Sequence, residues 1–249
     1  MAKKIGLFLV LLCFGCLEVA SADEYSGMWW DISKQGQGLS IVQNGDAICG
    51  AWYLYDSYGN DMWLVFSGAL DSSQTMTADL LQYSGPPLGS SWELGRLKSI
   101  TKGHITITFN SAENASMHYS LEGLTGALNL TPFANDSASF YWDPQRPGQG
   151  IGLFTEGPNV YAVWYLYDET GNDMWVTTPG DLSWATMSTE LYQFTGPALG
   201  SDWDTASVVS TKVGDASLSF PDSTSITLSY SIHGSSGQID VVPFTCSAP

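Results

Sequence analysis

Apolar and polar side chains alternate one by one along much of the chain. Ile105, Ile107 and Phe109 are separated by Thr106 and Thr108, and Met117, Tyr119 and Leu121 alternate with Ser116, His118 and Ser120. Further on, Ile226, Leu228, Tyr230 and Ile232 alternate with Thr227, Ser229 and Ser231. A period of two sends successive side chains to opposite faces, which predicts half-buried antiparallel strands. Beyond residue 22 no window carries a helical stripe. Turn signals rich in Gly, Pro, Asn and Asp separate the runs, and they mark out about eight strands in each half of the chain, at about 13 residues per strand and turn.

The two halves are copies of one another. Trp52-Tyr-Leu-Tyr-Asp-Ser-Tyr-Gly-Asn-Asp-Met-Trp63 recurs as Trp164-Tyr-Leu-Tyr-Asp-Glu-Thr-Gly-Asn-Asp-Met-Trp175, changed only at Ser57/Glu169 and Tyr58/Thr170. Each copy reads as two aromatic strands around a tight turn, with Gly59-Asn60 or Gly171-Asn172 supplying the positive φ. Outward from these hairpins, Trp30-Asp31 aligns with Trp142-Asp143, and Gly36-Gln37-Gly38 with Gly148-Gln149-Gly150. Gly85-Pro86-Pro87-Leu88-Gly89 aligns with Gly196-Pro197-Ala198-Leu199-Gly200, and Pro132-Phe133 with Pro243-Phe244. A repeat this long is a complete small domain rather than a solenoid unit. The expected fold is all-β: two tandem, antiparallel, up-and-down eight-stranded barrel-like units over residues 23–134 and 135–249, with β-sandwiches as the alternative. The Gly-Pro segments are expected to be the longest loops, serving as lids or corner bends.

The order Trp30-Asp31, Gly36-Gln37-Gly38, Trp52-Tyr53, Tyr55-Asp56, Gly59-Asn60, Trp63 resembles a repeat of exported bacterial proteins. That repeat opens on a Gly-x-Trp-Tyr-Asn-Pro-like strand, continues through Gly-x-Gly and reaches a Trp-Tyr-x-Tyr-Asp hairpin. Trp142-Asp143-Pro144 is the nearer match to the opening strand; Trp30-Asp31-Ile32 lacks the proline. The resemblance spans nearly all of both units and implies export, but no particular activity. The barrels are also loosely similar to avidin, without a biotin site carried over to any residue.

The N-terminal segment leads to the expectation of export. Lys3 and Lys4, the apolar stretch Ile5 to Leu12 and the small residues Ala20-Ser21-Ala22 read as a signal peptide over residues 1–22. Cys16 after Gly15 is the rival reading, a lipid-anchored chain. The expectation is therefore a secreted or periplasmic protein with no membrane span in its mature form; a membrane barrel would need longer strands, about 9–11 residues, with a lipid-facing apolar band. The formal net charge is −17, and loss of the signal, which carries Lys3, Lys4 and Glu18, makes it one unit more negative. Such a surface repels phosphate backbones, so nucleic acid is not an expected partner. Cys49 and Cys246 remain in the mature chain and are expected to form a disulfide that staples the halves, worth about 5 kcal/mol in the chain-entropy account. Two buried thiols are the alternative.

Catalytic chemistry finds little support. His104, His118 and His233 have no histidine counterparts in the other unit, and no nucleophile elbow, zinc or CxxC motif occurs after the signal. No enzyme activity, cofactor or metal is expected. Asp31/Asp143, Asp56/Asp168, Asp61/Asp173 and Asp79/Glu190 repeat; Asp56 and Asp61 flank a turn without the spacing of a calcium loop, so turn stabilisation is the simpler role. The aromatic residues are more informative. On the hairpin, Trp52 and Leu54 face one way while Tyr53 and Tyr55 face the other, so one face is core and the other packs between units or meets a ligand. The candidate ligand-binding residues are Trp52, Tyr53, Tyr55 and Trp63, with Trp164, Tyr165, Tyr167 and Trp175 in the second unit. The leading functional expectation is a non-enzymatic binding module for a glycan or small molecule. The other is a structural or interaction protein of the cell surface, its barrels fused through these aromatic faces; oligomeric state is left open.

Overall fold

The computed structural model describes residues 24–134, 137–156, 159–181, 186–222 and 225–247. The signal segment 1–22, with Cys16, lies outside the described residues. The first unit runs through β1 (Gly27–Trp30), β2 (Gly38–Asn44), β3 (Ala47–Tyr55), β4 (Asp61–Ala69), β5 (Thr75–Ser84), β6 (Lys98–Ser111), β7 (Asn114–Leu121) and β8 (Leu124–Ala134). The second repeats it as β9 (Ser137–Trp142), β10 (Gly150–Glu156), β11 (Asn159–Tyr167), β12 (Asp173–Asp181), β13 (Thr186–Thr195), β14 (Val209–Asp222), β15 (Ser225–Ile232) and β16 (Ser235–Pro243). Each set pairs antiparallel in chain order and closes into a barrel, so the sandwich alternative falls. Closure uses the short opening strand: Trp30 faces Thr131 across β1 and β8, and Trp142 faces Val242 across β9 and β16. Closure removes the free edges that are the usual liability of a sheet built from such apolar strands, with β4–β5 and β12–β13 the sparsest junctions, paired at Val65–Leu81 and Thr177–Tyr192.

The alternation sorts side chains as expected. Ile105, Ile107, Phe109, Met117 and Leu121 point into the first barrel beside Trp29, Trp52 and Leu54, all buried. Trp164, Leu166, Ile226, Leu228 and Ile232 do the same in the second. Threonines take the outer face: Thr75 bonds Thr108 and Thr77 bonds Thr106 across β5 and β6. Several strands exceed the expected lengths. β6 and β14 each run 14 residues, because a register shift after Leu80, and another after Leu191, lets the strand continue past an irregularity. Strand length therefore does not distinguish these barrels from membrane ones; their apolar interiors do differ from the polar lumen of that class. No described helix is long and apolar enough to cross a membrane.

Cys49 on β3 and Cys246 after β16 are joined by a disulfide. It ties the first barrel to the segment that follows the last strand of the second. A formed disulfide accords with an oxidising compartment outside the cytoplasm.

Candidate functional site

The site grows from the face of the hairpin that the barrel interiors do not use. Trp52 and Trp164 point inward; Trp52 packs on Tyr119 and donates its indole N–H to Gln37 Oε1 at 3.2 Å, while Trp164 packs on Tyr230. These two predicted site residues belong to the separate barrel cores. Tyr53, Tyr55, Trp63, Tyr165, Tyr167 and Trp175 point the other way and form a third apolar cluster, between the barrels. Tyr53, Tyr55 and Tyr167 are 4%, 1% and 2% exposed, so they present no open ligand surface. A face of period-two aromatics must be covered, and here its cover is the other copy of itself.

The seam obeys a pseudo-twofold axis, as expected when a surface packs on its own copy. Tyr53 and Tyr165 stack across the axis with ring centroids 5.3 Å apart, and their hydroxyls bond each other. Ser40 Oγ bonds the Tyr53 hydroxyl and lies within reach of that of Tyr165, so three buried hydroxyls form one cluster. Burial pushes both phenols up, Tyr165 to about 12, and keeps them neutral donors. Around this centre the main contacts come in mated pairs, although Ser40 aligns with Gly152 and only the Trp63 indole N–H finds an acceptor across the seam, Leu166 O. Tyr53 meets Trp175 and Tyr165 meets Trp63; Tyr55 meets Trp203 and Tyr167 meets Trp92. Trp63 N–H donates to Asp173 Oδ2 at 2.8 Å, and Trp175 N–H to Asp61 Oδ2 at 2.9 Å. Gln82 and Gln193 reach across to the second oxygens of Asp173 and Asp61, both at 2.8 Å.

The Gly-Pro segments are neither lids nor corner bends of their own barrels. Each crosses the seam and docks on the hairpin turn of the other barrel. Gly85 N–H donates to Gly171 O and Leu88 N–H to Asp168 O; Gly196 N–H donates to Gly59 O and Leu199 N–H to Asp56 O. The turn is shaped for this contact. Asp56 Oδ1 accepts from the N–H groups of Tyr58 and Asn60, and Asp168 Oδ1 from those of Thr170 and Asn172. Only the glycine of each Gly-Asn pair has a positive φ, 83° at Gly59 and 92° at Gly171. The expectation that the asparagines share that geometry is corrected: Asn60 is fixed instead by its own N–H bond to Asp56. A side chain at Gly59 would also press on Gly196 O, so both conformation and space require glycine there.

The seam leaves two apolar clefts, one on each side of the axis. The larger holds about 440 Å³ and is lined by Trp63, Val65, Phe66, Tyr83, Phe140 and Trp142, among others. Cys49 lies in its wall together with Phe244, Thr245 and Ser247 from either side of Cys246, so the disulfide helps to shape it. Its mate, about 400 Å³, is lined by Thr177, Thr178, Phe194, Met28 and Phe133, which align with Val65, Phe66, Tyr83, Phe140 and Phe244 of the first. Of the eight predicted ligand residues, Trp63 and Tyr165 line the larger cleft. The sequence reading missed Tyr83 and Phe140; Phe66, on the inward face with Leu64, belongs to the first barrel's interior and reaches the cleft beneath Gly50. Of the repeated carboxylates, Asp143 accepts from the nearby Gln145 N–H, and Asp31 from Ser33 and also from Asn129 N–H on β8; Asp61 and Asp173, expected to stabilise their own turns, bond across the seam instead. Among the described residues, no three His, Cys, Asp or Glu side chains are grouped to hold a metal.

The fold and seam define a class, tandem eight-stranded antiparallel barrels joined face to face through an aromatic hairpin. No family model, curated protein or solved structure matches the chain.

Proposed function

We propose that the protein is a secreted or periplasmic, non-enzymatic binding module that holds a small, mostly apolar molecule in the larger cleft between its barrels. The observation carrying this reading is the cleft of about 440 Å³ walled by Trp63, Phe66, Tyr83, Phe140 and Trp142. Small-molecule sites fall in roughly the 300–1,000 Å³ range, favour the junction of domains, and combine aromatic walls with a few polar groups. Here the polar side chains are Ser67, Gln149, Thr245 and Ser247, together with the hydroxyls of the lining rings Tyr83, Tyr141 and Tyr165. They are few beside the aromatic wall, which favours a flat apolar body over a hydroxyl-rich glycan, whose many donors and acceptors need matching partners. The site moves from the hairpin face itself to the gap that two such faces leave beside them.

Intrinsic tryptophan fluorescence, titrated with aromatic metabolites and oligosaccharides, tests the reading. A saturable change that is abolished in Ser67→Trp, an exposed strand position on the cleft wall, is the expected result. A flat titration, or one that Ser67→Trp leaves intact, contradicts it.

A second reading is a structural or interaction protein with no small-molecule ligand. The burial of Tyr53, Tyr55 and Tyr167 between the barrels favours it, because those aromatics are then accounted for by packing alone.

A further inference from the structure

The seam encloses a third cavity, polar rather than apolar, of about 490 Å³. Its lining is composed of aligned pairs: Asp56 with Asp168, Asn60 with Asn172, Asp61 with Asp173, Met62 with Met174 and Gln82 with Gln193. Four carboxyl groups therefore share one cavity, and no Lys, Arg or His lines it. Asp61 and Asp173 are also the residues through which each barrel grips the other, accepting a backbone N–H and a glutamine amide across the seam.

We propose that Asp61 and Asp173 form a proton-operated latch, which holds the barrels together more tightly when its carboxyls are protonated and loosens as they ionise. The surroundings are one-signed. From β3 and its turn come Tyr55 and Asp56, from β11 and its turn Tyr167 and Asp168, and from β5 and β13 the neutral Gln82 and Gln193; β4 and β12 contribute the two aspartates themselves. Ionising either carboxyl adds charge to a half-buried, already acidic space without a cation to balance it. Burial raises Asp61 to about 6 and Asp173 to about 7, against the opposing pull of their hydrogen bonds. In separated barrels water returns both to the ordinary value near 3.8. The sign follows. The docked state holds its protons more firmly, so their contribution to docking is complete below pH 3.8, falls as pH rises, and is gone above about 7. A flip of the Gln82 or Gln193 amide lets its carbonyl accept the added proton, so protonation breaks no contact. The latch depends on the seam alone and not on the binding reading.

Carbon-13 spectroscopy of the two carboxyls across about pH 4 to pH 8, combined with amide exchange at Trp63 and Trp175, tests it. The expected result is two carboxyls titrating above about pH 5.5, and protection factors at both amides that fall about tenfold or more between about pH 5 and pH 8. In Asp61→Asn/Asp173→Asn the same factors are expected to change less than about twofold. Carboxyls that both titrate below about pH 4.5 in the unaltered protein overturn the latch even if the variant does not fold; so does a fall of equal size in a folded variant.

Discussion

Tyr53 is the side chain at which the two copies of the repeat meet. It belongs to the hydroxyl cluster of Ser40, Tyr53 and Tyr165, buried in the seam. Tyr53→Phe leaves Ser40 and Tyr165 within reach of each other, and Tyr165→Phe leaves Tyr53 still bonded to Ser40. Removing one member of a buried pair costs about 1–3 kcal/mol, so each single variant is expected to destabilise the protein toward the lower end of that range. Urea unfolding of the two variants checks the size. The double variant is expected to lose less than the sum, because the pair shares one bond. Strand alternation shows that Tyr53 and Tyr55 share a face, and repetition shows that Tyr165 and Tyr167 share the matching one. What covers that face was not legible. The contact joins residues 112 positions apart through a symmetry that no local pattern encodes. Asp61 and Asp173 were visible only as a repeated pair, since their partners Trp175, Gln193, Trp63 and Gln82 lie in the opposite copy.

At the scale of elements, the strands were the most readable part of the chain and the long loops the least. Ile105, Ile107 and Phe109 declared an inward face because a barrel wall has one dry side and one outer side. Residues 85–89 and 196–200 declared only that they turn. Glycine and proline mark a bend, but the backbone bonds that these segments make go to another domain and leave no periodic trace. The close approach does leave a requirement for glycine. A Cβ at Gly85 would land on the Tyr167 ring, and one at Gly196 on the Tyr55 ring. Gly85→Ala and Gly196→Ala are each expected to cost about 1–3 kcal/mol through overpacking, with both barrels still formed. Calorimetry paired with far-ultraviolet dichroism separates that outcome from loss of the fold. A substitution without effect would show that the loops lift off the seam freely. Trp92 and Trp203, on the same long loops, each pack on a tyrosine of the other barrel, Tyr167 and Tyr55.

For the whole molecule, the seam and the disulfide perform one task, keeping two barrels face to face. The bridge spans a sequence separation of 197 residues, and the chain-entropy account puts its worth at about 5 kcal/mol. Cys49→Ser/Cys246→Ser is expected to lower the unfolding midpoint while the barrels persist, because each carries its own apolar interior. Thermal unfolding of the paired serine variant reads this directly. The same bridge borders the larger cleft, so the barrels' placement and the proposed site depend on one another. The most direct test of that proposal is the indole N–H spectrum of the protein, titrated with the aromatic metabolites and oligosaccharides. Saturable shifts at Trp63 and Trp142, which line the cleft, with Trp52 and Trp164 inside the barrels unmoved, are the predicted result. Shifts centred on Trp52 and Trp164, or none at any indole, would contradict it.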